Sequence, residues 1–392
     1  MGARKLLLIA LLLGSSAPAA AEPYFAVREG FKCSACHVNM TGGGKRTEFV
    51  SAHAKELLHY PNFISALAKP ADSFNGELFA PYVAIGANLR TSFTSTFQAQ
   101  GDDGDVKNDK VFRSRLDDIE LEVTDALGYL EVRLIPDWLT FYLDQRFAPQ
   151  TTTREVWGML RLPWDVYLKG GKMFLPYGLE LQDDTAFIRG GRNGSVTTGF
   201  SFDQQQPAFE IGWEPGPVAA AFAVSDGAGD DRDVQVTGTV YSLFTEVPVV
   251  RNVLVGGSGS RVGPPGTETI VAGFFGGFNL FGFTYLGECD FGWYRDNSNP
   301  STKDTHGRFI HYSELDYLLF KWLNVKATID YADDDGDLTQ RTNDSENRVS
   351  FGLEPFFAKF LQTRLFYRIG NGVRSNPGHN QNQLIAEVHV FF

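Results

Sequence analysis

Residues 323–331 read LNVKATIDY and alternate apolar and polar side chains along their whole length. Successive side chains of a β-strand point to opposite faces, so this pattern predicts a strand with one apolar and one polar face. A similar alternation occurs in three other stretches: 139–147, 363–369 and 384–392. Apolar-out and polar-in segments of this length are typical of a barrel in lipid. The strands of a soluble β-sandwich show the same alternation of side chains. The connections between the strands therefore have to distinguish a sandwich from a barrel.

The connections alternate between short and long. Short ones occur at 279–282 and 359–362, whereas the long ones are polar and rich in Asp: 98–110, 226–234, 296–308 and 333–346. This alternation is typical of the periplasmic turns and extracellular loops of outer-membrane barrels, which also fits the aromatic last residue, Phe392. We therefore expect a mainly β protein whose residues 77–392 form an outer-membrane antiparallel β-barrel of about 16 strands.

The composition agrees with a barrel and excludes some other classes. The chain has 392 residues, with 33 phenylalanines and 41 glycines, which barrels use in aromatic girdles and at bends. The net charge of −12 argues against nucleic acid as a partner. Three cysteines do not form a disulfide framework, and the sequence carries no G-x-S-x-G, phosphate-loop or H-E-x-x-H motif.

Residues 1–21 have the organisation of a secretory signal peptide. Arg4 and Lys5 precede an apolar run at 6–13, and three alanines at 19–21 offer a cleavage site. The apolar run is too short for a helix that crosses a bilayer, which needs about 20 residues. We expect cleavage after Ala21, export from the cytoplasm and a location in the outer membrane.

A second unit is predicted at residues 22–76, which contain the stretch FKCSACHVNM at 31–40. Cys33 and Cys36 followed directly by His37 form the motif that attaches a c-type haem, with both thiols bonded to the haem and the imidazole on its iron. The alternatives are a thioredoxin-like redox pair or half of a zinc site, but no second C-x-x-C completes four zinc ligands. The motif occurs once and predicts one covalent haem c on a small, α-helical monohaem cytochrome c segment.

The sequence leaves the second axial ligand of the iron undetermined. Met40 lies only three residues after His37, too near to reach the opposite side. His53 is the first candidate, because it falls on the apolar face of a helix predicted at 47–60, and His59 at the end of that helix is the second. Met173 would serve only if the haem lay in the barrel lumen, and an open position is a further alternative.

The residues that follow the motif suggest further contacts with the haem. Glycines at 42–44 allow close approach of the backbone to a porphyrin, and Lys45 and Arg46 are candidate partners for the haem propionates. The alternative for the whole stretch is a flexible basic turn.

The N-terminal stretch followed by a barrel resembles the fused monohaem cytochrome–porins of iron-oxidising bacteria. The residues that match the pattern of that family are Phe25, Ala26, Gly30, Cys33, Cys36 and His37. A separate segment, GKMFLPYG at 171–178, is similar to a segment of the anion-selective porins. The resemblance implies an outer-membrane electron-transfer protein with extracellular Fe(II) as the donor, and hence iron(II):cytochrome c oxidoreductase chemistry.

A single haem is much smaller than a bilayer core of about 30 Å, so we expect it to plug or line the lumen. Its partners would be the extracellular donor, a soluble periplasmic carrier (a cytochrome or a cupredoxin) and outer-membrane lipid. Two alternatives remain open: a passive porin for anions or small solutes with an accessory haem segment, and a barrel that anchors a periplasmic cytochrome.

Overall fold

A computed structural model describes the following parts of the chain: residues 22–39, 42–49, 76–99, 114–179, 181, 185–189, 205–227, 234–245, 247–248, 250, 252–263, 267–296, 305–333, 345–358, 360–371 and 381–392. The predicted signal peptide, Met40 and the two candidate axial ligands, His53 and His59, lie outside the described residues.

The described part of the chain consists mainly of β-strands. A three-residue strand precedes sixteen longer ones, in the order β1 Glu77–Phe79, β2 Val83–Ala99, β3 Ser114–Ile135, β4 Leu139–Ala148, β5 Thr152–Leu162, β6 Val166–Phe174, β7 Gln205–Trp213, β8 Val218–Ser225, β9 Gln235–Thr245, β10 Asn252–Val262, β11 Thr267–Leu280, β12 Phe283–Asp296, β13 Thr305–Phe320, β14 Leu323–Asp333, β15 Glu346–Ala358, β16 Leu361–Asn371 and β17 Gln381–Phe391. The helices are α1 Pro23–Glu29, α2 Cys33–Cys36 and a 3₁₀ turn, Phe187–Arg189.

The sixteen long strands form a closed antiparallel barrel. Each strand from β2 to β16 pairs with the next one along the chain, and β17 pairs back onto β2, from Gln381 opposite Gln98 to Phe391 opposite Asn88. Closure leaves no open edge, because every long strand has a partner on both sides. The predicted barrel and its number of strands are therefore confirmed.

Burial alternates along the strands as the sequence predicts. In β14, Asn324, Lys326, Thr328 and Asp330 are buried and point into the barrel, whereas Ile329 points outward. Large apolar side chains form an outward-facing band, and several are more than half exposed: Leu121, Val255, Phe274 and Phe351. We expect this band to lie in the hydrocarbon of a bilayer. No helix among the described residues is long and apolar enough to cross a membrane.

One end of the barrel carries the short turns. Two-residue turns join β11 to β12 and β13 to β14, and a three-residue turn joins β5 to β6; Phe281 in the first and Trp164 in the last are both 86 % exposed. The chain also ends here, where the backbone of Phe392 exchanges hydrogen bonds of 2.9 and 3.0 Å with Ala87. This short-turn end is the one that we expect to face the periplasm.

The outward band yields a prediction for stability in lipid. Phe274 lies at the middle of β11, so Phe274→Arg should lower the free energy of folding into vesicles by about 2–4 kcal/mol. Phe281→Arg, on a turn at the membrane interface, is the control and should cost about 0–1 kcal/mol. Urea titration in vesicles measures both, and equal losses would contradict the assignment of the band.

Candidate functional site

The N-terminal residues lie inside the barrel. We call residues 22–39 and 42–49 the lumen segment. Its contacts reach inward-facing side chains on distant strands: Glu22 meets Lys326 of β14, Asn39 accepts a hydrogen bond of 3.0 Å from Lys169 of β6, and Asn252 of β10 donates to the carbonyl of Val27 at 2.8 Å. Because these strands lie on different sides of the wall, the segment occupies the lumen at the short-turn half of the barrel.

Helix α1 carries the apolar part of this segment. Pro23 begins the helix with the φ that a first turn needs, and Gly30 ends it at a φ of 78°. Tyr24, Phe25 and Val27 are at most 4 % exposed, and the ring of Phe25 packs edge-on against Phe356 of β15 at 5.8 Å. Burial of each such side chain contributes about 1.5–3 kcal/mol.

The wall opposite α1 is apolar, which the sequence did not reveal. One buried cluster joins α1 to inward-facing side chains of eight strands: Ala219, Tyr241, Phe275, Leu286, Ile310, Tyr312, Ala332, Phe356 and Phe391. A porin lumen filled with water is normally polar, as predicted above from the alternation. The difference has a physical reason, because this part of the lumen packs against a protein segment rather than against water.

A buried charge cluster holds the start of the segment. We use this name for Glu22, Glu314, Asp316, Lys326, Glu354 and Arg364, whose side chains are at most 7 % exposed. The Lys326 ammonium lies 3.3 Å from the Glu22 carboxylate, 3.2 Å from Glu314, 3.8 Å from Asp316 and 3.4 Å from Glu354.

Glu22 itself is held from several sides. Its carboxylate accepts hydrogen bonds from Gln362 at 2.7 Å and from Arg364 at 3.1 Å. Burial raises the pKa of Glu22, but Lys326, Arg364 and these hydrogen bonds outweigh it and leave the pKa below its usual value. Glu22 is therefore ionised at neutral pH.

The predicted haem-attachment motif lies at the short-turn end of the lumen. The Cys33 amide donates to the Tyr241 hydroxyl at 3.3 Å, and the Lys32 ammonium donates to the carbonyl of Glu214 at 2.8 Å. Ser34, between the two cysteines, hydrogen-bonds the Glu214 carboxylate, whose pKa is raised by burial. Glu214 is the residue directly after β7, so these contacts fix α2 beside the turn that joins β7 to β8.

The two cysteines of the motif lie at the two ends of one short helix. Cys33 and Cys36 stand three residues apart on one helical turn and neither is in a disulfide. Burial, and then the neighbouring Cys33, raises the pKa of Cys36 to about 12, so this thiol is protonated at neutral pH. His37 follows directly, and its amide donates to the Cys33 carbonyl at 2.9 Å.

An open groove of about 740 Å³ lies beside the motif, within the usual size range of cofactor sites of about 300–1,000 Å³. Apolar side chains, two cations and one carboxylate line it together: Phe31, Ala35, Pro217, Leu243, Lys32, Arg161 and Glu214. Ser34 and Ala35 of the motif line this groove, whereas Cys33, Cys36 and His37 do not, so a haem c at this place stays a prediction. The sequence analysis did not identify Arg161 or Lys32 as cations that line this groove. A strand pattern does not indicate which inward cation will face a segment far away in the chain.

Lys45 and Arg46 contact the barrel wall. The Lys45 ammonium lies 3.0 Å from Glu131, and its amide donates to the Tyr142 hydroxyl at 2.8 Å. The Arg46 guanidinium is 4.0 Å above the ring of Phe391, and burial lowers its pKa to about 10. Their contact with propionates stays a prediction, and Lys32 and Arg161 are cations that line the groove itself.

The glycine run has the backbone freedom that was predicted. The three glycines at 42–44 have φ of 108°, 74° and 65°, and a Cβ on Gly44 would collide with the Tyr142 hydroxyl. In the described structure this freedom brings the chain close to the wall.

Met173 is fully buried inside the barrel. It belongs to one cluster with Val38, the residue next to His37, and with Trp157 and Met159. The condition for Met173 as an axial ligand was a haem in the lumen, and the motif lies there. Its role stays a prediction, as do those of His53 and His59.

A second element enters the lumen between β6 and β7. The Phe187 amide donates to Asp330 at 3.0 Å, and the Leu179 amide donates to Glu288 at 2.9 Å. Arg189 lies 2.6 Å from the Glu288 carboxylate, which raises the pKa of Arg189 against the effect of burial. Since Leu179, Leu181, Ala186, Phe187 and Ile188 belong to the same buried cluster as α1, the two inserts share one core.

No protein-family model matches the sequence, and no curated protein is similar to it in sequence. Solved structures with the same fold exist. A loop L8 deletion mutant of OmpT, an outer membrane protein of Vibrio cholerae, has a TM-score of 0.56 at 13 % identity, over 79 % of this chain and 99 % of that one. The anion-selective porin from Comamonas acidovorans has a TM-score of 0.52 at 10 % identity, over 79 % and 99 %. Salmonella typhi OmpF in complex with daunomycin has a TM-score of 0.54 at 10 % identity, over 79 % and 97 %. At these identities the likeness establishes a porin-like barrel fold.

The charge cluster yields a prediction for stability. Lys326→Met leaves its buried carboxylates without their shared cation and should cost about 3–5 kcal/mol of unfolding free energy. Adding Glu354→Gln removes one of these carboxylates, so the double variant should recover part of the loss. Urea unfolding in vesicles measures Lys326→Met, Glu354→Gln and the double variant, and losses of the two single variants that simply add up would contradict a shared cluster.

Proposed function

We propose that this chain is an outer-membrane electron-transfer protein in which a c-type haem on Cys33 and Cys36 lies at the periplasmic mouth of a plugged barrel. The observation that carries the proposal is the position of α2: the motif is fixed to the inside of the barrel wall by Tyr241 and Glu214 and borders a groove of suitable size. Extracellular Fe(II) is the proposed donor and a soluble periplasmic carrier, a cytochrome or a cupredoxin, the proposed acceptor.

The protein's own residues have distinct tasks in this proposal. Cys33 and Cys36 hold the group covalently, and His37 binds its iron from one side. The apolar face of α1 and the charge cluster keep the segment in place and limit access of water from the lumen. Lys32 and Arg161 border the groove and would pair the propionates. When bound, the haem supplies one-electron transfer, with a potential set by its ligands and its burial.

A periplasmic cytochrome domain that merely hangs from the barrel is less consistent with these contacts. Asn252 donates to the carbonyls of Val27 and Arg28 at 2.8 Å each, and Lys45 pairs with Glu131. Contacts that hold both ends of the lumen segment to the wall favour a plug.

A passive porin is the second candidate, and the porin-like fold is the observation that favours it. Part of the lumen beside the segment remains open as a cavity of about 300 Å³, whose lining combines four arginines (Arg90, Arg348, Arg364 and Arg368) and Lys326 with six glutamates. The described contacts of the lumen segment and of the second insert with the wall support a plugged barrel, and this is the argument for electron transfer over a passive porin.

Covalent attachment is tested by haem staining of the purified protein on denaturing gels. The wild type should stain, and Cys33→Ala with Cys36→Ala should abolish the stain, because both thioether bonds are lost. Cys289→Ala is the matched control, since Cys289 lies on β12 next to His311, and it should stain normally. An unstained wild type would rule out the haem.

Electron transfer is tested in vesicles that contain a membrane-impermeant one-electron acceptor, with Fe(II) added outside. The wild type should reduce the acceptor at least about ten times faster than the Cys33→Ala, Cys36→Ala variant, which corresponds to about 1.4 kcal/mol in the barrier. Equal rates would mean that Fe(II) passes through the pore itself, the result expected of a passive porin. Retained resistance of the variant barrel to detergent unfolding serves as the folding control.

A further inference from the structure

Closure of the barrel gives every long strand a partner on both sides, but β3 has its second partner along only part of its length. This strand runs for 22 residues, from Ser114 to Ile135. Its pairing with β2 extends as far as Ser114, whereas its pairing with β4 ends at Ala126, opposite Ala148. Among the described residues, positions 114–125 therefore pair on the β2 side only. We call this stretch the rim edge.

The rim edge lies at the end of the barrel opposite the short turns. A tilted strand crosses the hydrocarbon in about 9–11 residues, so β3, which leaves the short-turn end at Ile135, reaches the outer margin of the hydrocarbon near Asp125. Leu121 then marks the top of the outward-facing band on this strand. The rim edge extends from this margin into the medium outside the membrane, where another protein can reach it.

The pairing of β2 shows which backbone groups of the rim edge face the open side. Ala87 of β2 exchanges two hydrogen bonds with Phe392, on the side away from β3. Backbone groups point to alternate sides from one residue to the next, so Thr94, an odd number of positions farther along, bonds towards β3. Thr94 lies opposite Glu120, and the backbone of Glu120 is therefore bonded to β2.

The neighbours of Glu120 on the strand direct their backbone groups the other way. Ile119 and Leu121 thus present their amides and carbonyls to the open side. The Ile119 amide donates at 2.8 Å to the carboxylate of the preceding residue, Asp118, and not to a strand. An extended segment placed beside β3 would find here the donors and acceptors that a further strand needs.

Two rows of exposed side chains flank this open backbone. The outward row contains Ile119 and Leu121, which are 55 % and 73 % exposed. The inward row contains Asp118, Glu120 and Glu122, which are exposed and have no ion-pair partner in the described parts of the chain. Exposed apolar side chains next to an open strand edge are typical of an interaction surface.

The charge of the rim edge selects the kind of partner. Positions 114–125 carry five acidic residues and one basic residue, so the same edge of a second copy would bring further carboxylates to this row. A lipid chain would cover Leu121 but would leave the backbone groups without partners. An extended segment with basic and apolar side chains in alternation provides backbone hydrogen bonds, apolar contacts and the opposite charge together.

We propose that the rim edge is a docking site for an extended segment of a partner protein outside the cell, in which basic and apolar side chains alternate. The segment adds a strand to the sheet beside β3, above the turn that joins β4 to β5. Its basic side chains face the inward row of carboxylates, and its apolar side chains lie beside Ile119 and Leu121. The proposal goes beyond electron transfer and does not depend on the haem.

The first test measures binding of a fluorescent synthetic peptide, TKVKVKVT, to the full-length protein in nanodiscs of zwitterionic lipid, by fluorescence anisotropy. Saturable binding is expected. The same peptide with all internal amides N-methylated cannot pair as a strand and should bind at least about tenfold more weakly, as should the block sequence TKKKVVVT. Equal binding of the three peptides, or equal binding of TKVKVKVT to empty nanodiscs, would overturn the proposal.

The second test removes one amide from the open side. Leu121→Pro deletes a backbone N–H that faces away from β2, a position at which a strand tolerates proline. This variant should bind TKVKVKVT at least about tenfold more weakly, whereas Leu121→Val keeps the N–H and should bind within about twofold of the wild type. Resistance to detergent unfolding shows that both barrels are folded. Unchanged affinity of folded Leu121→Pro would overturn the pairing.

The third test addresses the charge without altering the backbone. Glu120→Gln combined with Glu122→Gln should weaken binding of TKVKVKVT at least about fivefold in low salt and make it less sensitive to added salt. Asp137→Asn combined with Asp165→Asn removes the same charge from the short-turn end and is the matched control, with no change expected. Equal effects of the two double variants, or no effect of either, would overturn the proposed complementarity, whatever the haem experiments show.

Discussion

The contact between Lys326 and Glu22 determines whether the interior of this barrel is filled with water or packed with protein. A sixteen-stranded barrel without an insert encloses water, and its inward charges are then solvated. Here the Lys326 ammonium is shared by Glu22, Glu314 and Glu354 at 3.2–3.4 Å, in surroundings from which most water is excluded. Both ions are costly to bury alone, so each needs the other in place. The wall and the N-terminal segment thus stabilise each other, and the apolar cluster around α1 can form only when the segment is inside.

The second insert extends the same core toward the other half of the barrel. Phe187 and Ile188 join the cluster that contains Tyr24 and Phe25, while Asp330 and Glu288 hold their backbone. Two chain segments that enter from different connections therefore meet in one hydrophobic core inside a closed sheet. Such a core resists sliding of either insert, since displacement would expose aromatic surface and leave buried carboxylates without donors. A rigid frame of this kind suits a fixed cofactor better than it suits a wide channel.

The strands were predictable from the sequence, whereas the plug was predictable only in part. Residues 323–331 alternate with a period of two because one face of the strand meets solvent or polar partners and the other meets lipid. The alternation can therefore be read from this short stretch of sequence alone. The pairing of Glu22 with Lys326 joins positions 304 residues apart, and no local pattern encodes it. Inward aromatic residues such as Tyr241 and Phe275 interrupt the polar face of their strands. Nothing in the local sequence shows, however, that they contact an insert. The motif at Cys33 was recognisable because its chemistry fixes the spacing of its residues, but its partners Tyr241 and Glu214 come from strands and turns whose arrangement follows from barrel closure.

Under the proposed function, the position of α2 restricts the route by which an electron could cross this barrel. The motif is bound through Cys33 and Lys32 to residues near the short turns, so a haem attached there lies close to one mouth and within reach of a soluble carrier on that side. The hydrocarbon core is about 30 Å thick, much more than one haem spans. On the other side of the plug lies the cavity bordered by Glu314, Arg348 and Arg368. A donor of small size would have to enter this cavity from the far mouth and approach the plug. Under the proposed function the donor would approach the plug from the side of this cavity, and the carrier would approach from the short-turn end, where the groove beside Ser34 and Ala35 opens. The two half-reactions would then take place on opposite faces of one plug.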